Sequence, residues 1–63
     1  MEITDNEKIT DIQRVAHLLN SNRLSLEEYI SNGGKYSAEI IDDEDSGGFS
    51  NLCALAGIKR YFP

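Results

Sequence analysis

The chain has one cysteine, one proline, one histidine and no tryptophan. A single thiol, Cys53, cannot close an intrachain disulfide. One cysteine and one histidine, His17, cannot make the Cys/His cluster of a structural zinc site. No apolar run approaches the ~20 residues of a membrane span. The stretch Met1 to Lys8 is polar and acidic, unlike a secretory leader. A lone thiol without a leader implies a reducing, cytoplasmic setting and no membrane partner. Bases are scarce as well: six face eleven acids, for a formal charge of −5. That balance disfavours non-specific binding to nucleic acid or anionic lipid, which draws on Lys and Arg, and favours attraction to a basic partner. Sixty-three residues make one domain. A chain this short buries only about 60% of its unfolded surface, so it must rely on close helix packing or on association, a homodimer included.

The residues present predict an all-α fold of three to four short helices. Thr4, Asp5 or Asn6 can cap the first, Glu7 suits its positive end, and Ile9, Ile12, Val15, Ala16 and Leu19 form one apolar stripe. Ser25-Leu26-Glu27-Glu28 is a capping box for the second, with Leu24 and Tyr29 as a hydrophobic staple and Asn32-Gly33-Gly34 as the stop. Ser37 can cap a third over Ala38 to about Asp45, with Tyr36 and Ile41 as its staple. A short strand over Lys35 to Ile41, with Tyr36, Ala38 and Ile40 on one face, is the alternative there. The last helix is expected from Ser50 or Asn51 to Ala56, capped by Ser50, with Leu52, Leu55 and Ala56 inward and Cys53 beside them. Gly57 stops it, Ile58 folds back, and residues 59–63 form a tail.

In order and spacing, Val15-Ala16 with Leu19, then Ser25, Glu28 and Tyr29, then Gly34-Lys35-Tyr36-Ser37, then Gly47 and Phe49, then Ala56-Gly57-Ile58, resemble the homing endonuclease-associated repeat. That is a small helical module found beside HNH-type nucleases and in phage and mobile-element proteins. The likeness runs from Ile9 to Ile58. It implies a helical scaffold and a DNA-binding role. In that family the helix before the aromatic turn carries Arg and Lys, whereas this chain has Asp42-Asp43-Glu44-Asp45. The sign of the expected contact surface is reversed, so the family's DNA contact does not transfer to these positions.

Five of the eleven acids lie between Glu39 and Asp45. At a helix C-terminus each exposed acid opposes the macrodipole by about 0.3–1 kcal/mol, and neighbouring like charges add to this. One reading is a solvated loop that aids solubility. The other is a contact for a basic surface that mimics DNA phosphates. On that second reading Glu39, Asp42, Asp43, Glu44 and Asp45 make the charged contact, with Phe49, Tyr61 and Phe62 as apolar anchors. The expected function is a non-catalytic protein-interaction module, an inhibitor of nucleic-acid-processing machinery from a phage or mobile element. The alternative is a DNA-binding accessory module using Lys35, Tyr36, Lys59 and Arg60.

Other chemistries fit less well. Asp42-x-Glu44-x-Ser46-Gly47 echoes the start of a calcium loop, but the twelfth place holds Cys53 instead of a bidentate Glu. Neither Gly33-Gly34 nor Gly47-Gly48 sits in a phosphate-binding pattern. Cys53 reads as a small core residue, and His17 as a residue at the edge of the helical stripe. No catalytic residue, metal or cofactor is expected.

Overall fold

The computed structural model describes residues 3–62; the expected place of Pro63 in the tail lies outside them. Four α-helices, one 3-10 turn and a two-stranded parallel sheet follow one another: α1 (Asp5–Leu18), β1 (Arg23–Leu24), α2 (Leu26–Ser31), α3 (Ala38–Ile41), the 3-10 turn Glu44–Ser46, α4 (Gly48–Leu55) and β2 (Lys59–Arg60). The fold is mainly α-helical, as the cap and stripe pattern predicts.

Local chemistry explains where helices begin. Thr4 is the N-cap of α1, and Thr4 and Glu7 form a reciprocal capping box. Ser25 and Glu28 do the same for α2. Both satisfy backbone N–H groups that the helix itself leaves unpaired. Leu24 and Tyr29, the two sides of the staple, are fully buried in one core with Ile12, Val15, Ile41, Phe49, Leu52, Cys53 and Ala56. Ile9, Leu19, Tyr36 and Ile58 pack against its rim. At the end of α4 the Ile58 N–H donates to the Cys53 carbonyl at 3.0 Å, the expected fold-back.

Several expectations need correction. α3 ends at Ile41, not near Asp45, and Ser37 makes no side-chain cap bond. The alternative strand at residues 35–41 does not form either, since the segment is a turn followed by α3. α4 begins at Gly48, two residues before Ser50, and has Gly47 at its N-cap. Leu55 is 58 % exposed, so it does not belong to the core. Residues 59–60 are a strand and not a tail: the Lys59 N–H donates to the Asn22 carbonyl at 3.0 Å and the Tyr61 N–H to Leu24 at 2.9 Å.

Two charged residues of α1 face inward with the apolar stripe. Asp11 lies against α2 and the following turn. It accepts hydrogen bonds from the Tyr29 phenol, from the Lys35 backbone N–H at 2.9 Å and from Arg14 Nε at 2.8 Å. The Tyr36 N–H in turn donates to the Tyr29 oxygen at 3.1 Å. Burial alone raises the Asp11 carboxyl, but these donors, Arg14 foremost, outweigh it and hold the group below its ordinary value. Burial and the bond to Asp11 push the Tyr29 phenol far above its ordinary range. Asp11 thus ties α1, α2 and the turn at residues 32–36 into one unit.

Gly34 is required by that unit. A Cβ there would lie 2.6 Å from the Tyr29 carbonyl oxygen, besides meeting the Tyr29 ring. The Gly34 N–H also donates to that carbonyl at 2.9 Å. Gly34→Ala is expected to cost about 1–3 kcal/mol, the usual range for overpacking a tight site. Urea unfolding of the two proteins checks this.

Candidate functional site

Only the first acid of the run stands at a helix C-terminus: Asp42 is the C-cap of α3. Because α3 stops at Ile41, the other three, Asp43, Glu44 and Asp45, lie at the start of the 3-10 turn, where negative charge is favourable. Asp42 Oδ1 accepts the Phe49 N–H at 2.8 Å, in the first turn of α4. Asp43 is the N-cap of the 3-10 turn and accepts the Asp45 N–H at 3.0 Å. The chain then turns through Gly47 and Gly48, with φ of 84° and 81°. Two successive left-handed residues are sterically costly for anything but glycine. The Gly48 N–H reaches back to the Asp43 carbonyl at 2.8 Å. The glycine pair therefore serves the turn, as its sequence context suggests.

A buried lysine holds this loop against α1. Lys8 is 4 % exposed, donates to Ser46 Oγ at 3.3 Å and lies 3.6 Å from Asp43 Oδ2. Ser46 donates in turn to Asp5 Oδ1 at 2.6 Å. These contacts bring Asp5, at the start of α1, up to the acidic loop. None of Asp5, Lys8 or Ser46 stands out as a surface or site residue by composition. A signal was present, however: Lys8 and Asp11 fall in register with Ile12, Val15 and Leu19, and a charge on a core-facing stripe needs a partner.

The five acids thus divide. Asp42 and Asp43 are half-exposed and engaged with backbone and with Arg60 and Lys8. Glu39, Glu44 and Asp45 are exposed, and none of them forms an ion pair among the described residues. Asp42→Ala is expected to cost about 1–2 kcal/mol through loss of the cap on Phe49. Glu44→Gln should be neutral within about 0.5 kcal/mol. A pair of thermal melts distinguishes them.

The apolar anchors divide too. Phe49 is 0 % exposed and belongs to the core, 5.9 Å from the Tyr29 ring. It cannot meet a partner, and its assignment to the contact surface is corrected. Its burial follows from α4 starting at Gly48 and turning Phe49 inward with Leu52 and Cys53. Phe62 is 70 % exposed, and Tyr61 is half-buried. Both rings are stacked on arginines: Arg23 lies 4.5 Å from the Tyr61 centroid, and Arg60 lies 4.5 Å from Phe62 and 5.4 Å from Phe49.

Arg60 is therefore committed to the fold. Its guanidinium lies between two rings, donates to Ser50 Oγ at 3.2 Å and stands 4.0 Å from Asp42. This corrects its assignment to a free phosphate contact. Lys35 uses its backbone N–H on Asp11, while its ammonium stands 5.6 Å from the Tyr36 centroid, and Tyr36 is half-buried. Lys59 is exposed, on the sheet, and is not brought together with Lys35 and Tyr36 by any contact among the described residues.

Cys53 is fully buried, and burial pushes its thiol up to about 11, away from the thiolate that a nucleophile requires. His17 is exposed on α1. Among the described residues no three His, Cys, Asp or Glu side chains converge as metal ligands, and no helix is long and apolar enough to cross a membrane. No protein-family model, curated protein or solved structure matches the chain.

Proposed function

We propose that this chain is a non-catalytic acidic interaction module that binds a basic, nucleic-acid-binding surface of another protein. The observation that carries this is the division of the acidic loop. Asp42 and Asp43 are engaged in holding the turn, yet Glu39, Glu44 and Asp45 are exposed and form no ion pair among the described residues. Lys8 and Ser46 fix the loop from beneath, so these charges are presented on an anchored surface. A preordered acidic surface steers a basic partner toward it, speeds association and loses affinity as salt rises. Phe62 supplies exposed apolar area elsewhere on the chain. The likeness to the homing endonuclease-associated repeat, with its contact surface reversed in sign, belongs to the same proposal, as does an origin in a phage or mobile element.

The test uses Glu39→Gln/Glu44→Gln/Asp45→Asn, which leaves the two structural aspartates in place. Both proteins are used to capture partners from a candidate host, and each captured partner is then challenged with duplex DNA. The proposal expects a partner that the triple variant fails to retain and that duplex DNA displaces. Equal capture by both proteins reduces the exposed acids to a solubilising role.

A second reading, a DNA-binding accessory module, draws on one observation. Arg23 and Lys59 are register partners in the sheet and neither is ion-paired among the described residues. Adjacent like charges across strands are unfavourable without a counter-anion. Micromolar binding of the isolated protein to duplex DNA at low salt favours this second reading over the first.

A further inference from the structure

Away from the acidic loop, the α1 surface and the turn that follows α2 enclose a groove of about 540 Å³. Its walls include Ile3, Thr10 and the half-buried Tyr36, and Glu7, Asp11, Arg14 and Lys35 supply its charges. The volume falls within the range of small-molecule sites, about 300–1,000 Å³.

The hydrogen-bonding capacity left in this groove is mostly donor and cationic. Asp11 already accepts from Tyr29, Arg14 and the Lys35 N–H. Glu7, also on the lining, turns its carboxylate back to the Thr4 N–H at 3.2 Å. Arg14 uses Nε on Asp11 and Nη2 on the Gly33 carbonyl, and its Nη1 makes no hydrogen bond among the described residues. The Lys35 ammonium forms no ion pair among the described residues, although acids outnumber bases in the chain by eleven to six. Asp11 is thus occupied from within and Glu7 in part, while the Arg14 Nη1 and the Lys35 ammonium are left without a hydrogen-bond or ion-pair partner among the described residues.

We infer that this groove is a binding site for a small organic carboxylate with an apolar or aromatic body. The carboxylate lies at Lys35 and the outer edge of Arg14, and the apolar body lies against Tyr36 and Ile3. Asp11 is a positioning residue: it fixes the Lys35 backbone and the Arg14 guanidinium. The Lys35 side chain takes no part in that scaffold, so it can be changed without disturbing the turn.

The test is a titration of the folded protein with phenylacetate, and in parallel with its neutral analogue phenylacetamide, followed by backbone amide shifts in NMR. Phenylacetate should saturate in the range of about 1 mM, with the largest shifts at Thr10, Lys35 and Tyr36. The amide and the variant Lys35→Gln should each bind about fivefold more weakly, the scale of one partly exposed ion pair. Lys59→Gln makes the same charge change outside the groove and should bind like wild type. Equal binding of acid and amide, no loss in Lys35→Gln, an equal loss in Lys59→Gln, or failure to saturate would each overturn the assignment.

Discussion

Phe49→Ala should destabilise the protein by about 3–5 kcal/mol, the usual cost of emptying a buried phenylalanine site. The ring is fully buried in the core and tilted against Tyr29, and one of its faces carries the Arg60 guanidinium. Truncation leaves a cavity between α4 and the remaining core and removes one side of the Arg60 stack. A domain of this length has about 3–9 kcal/mol of stability in total. Since 1 kcal/mol moves the midpoint of so small a domain by about 4–8 °C, the melting temperature should fall by about 12 °C or more, and a substantial fraction of this variant should be unfolded at 37 °C. Phe62→Ala removes a ring that is 70 % exposed and should cost far less. Thermal melts of both, followed by far-UV circular dichroism, separate a core residue from a surface one. Similar losses for the two would contradict the placement of Phe49.

Asp11→Ala has an effect of comparable size and a different origin. It strips the acceptor from the Tyr29 phenol, the Lys35 N–H and Arg14 at once. Breaking one partner of a buried charge pair costs about 3–5 kcal/mol, because the remaining groups stay desolvated. Arg14 is half-exposed and can recover water, which places the expected loss near the lower end, about 3 kcal/mol. The pH dependence has a definite sign. The folded Asp11 pKa lies below its ordinary value of 3.8, so the stabilisation is fully present above that pH and disappears as pH falls through the lower folded value. Asp11→Asn removes this contribution. Urea midpoints measured between neutral pH and the acid range should therefore fall less steeply for Asp11→Asn than for wild type.

Helix starts were the most legible part of the fold. Thr4/Glu7 and Ser25/Glu28 are local devices, written within four residues; the Ser25/Glu28 box forms as expected, and Thr4 proves to be the cap among the three candidates, with Glu7 closing a box on it. The stops at Gly33 and Gly57 were legible for the same reason. What escaped the sequence was set by distant contacts. α3 ends early because Asp42 is drawn to the Phe49 N–H and Asp43 to the 3-10 turn and Lys8, pairings across the loop and across the chain. The inward turn of Phe49 follows from α4 starting at Gly48. Strands of two residues have no periodicity to detect, and the pairing of residues 23–24 with 59–60 joins distant parts of the chain. Of the expected contact surface, the exposed acids Glu39, Glu44 and Asp45 were legible by charge alone. The structural duties of Asp42 and Asp43 were not, since the sequence shows four like residues and the loop geometry alone tells them apart.

The central claim is that the exposed acids serve binding while their neighbours serve the fold. One paired measurement on Glu39→Gln/Glu44→Gln/Asp45→Asn tests it most directly: its unfolding free energy and its retention of a basic partner protein, each against wild type. The account predicts stability within about 0.5 kcal/mol of wild type, together with loss of the partner. Undiminished partner binding by a folded triple variant would contradict it.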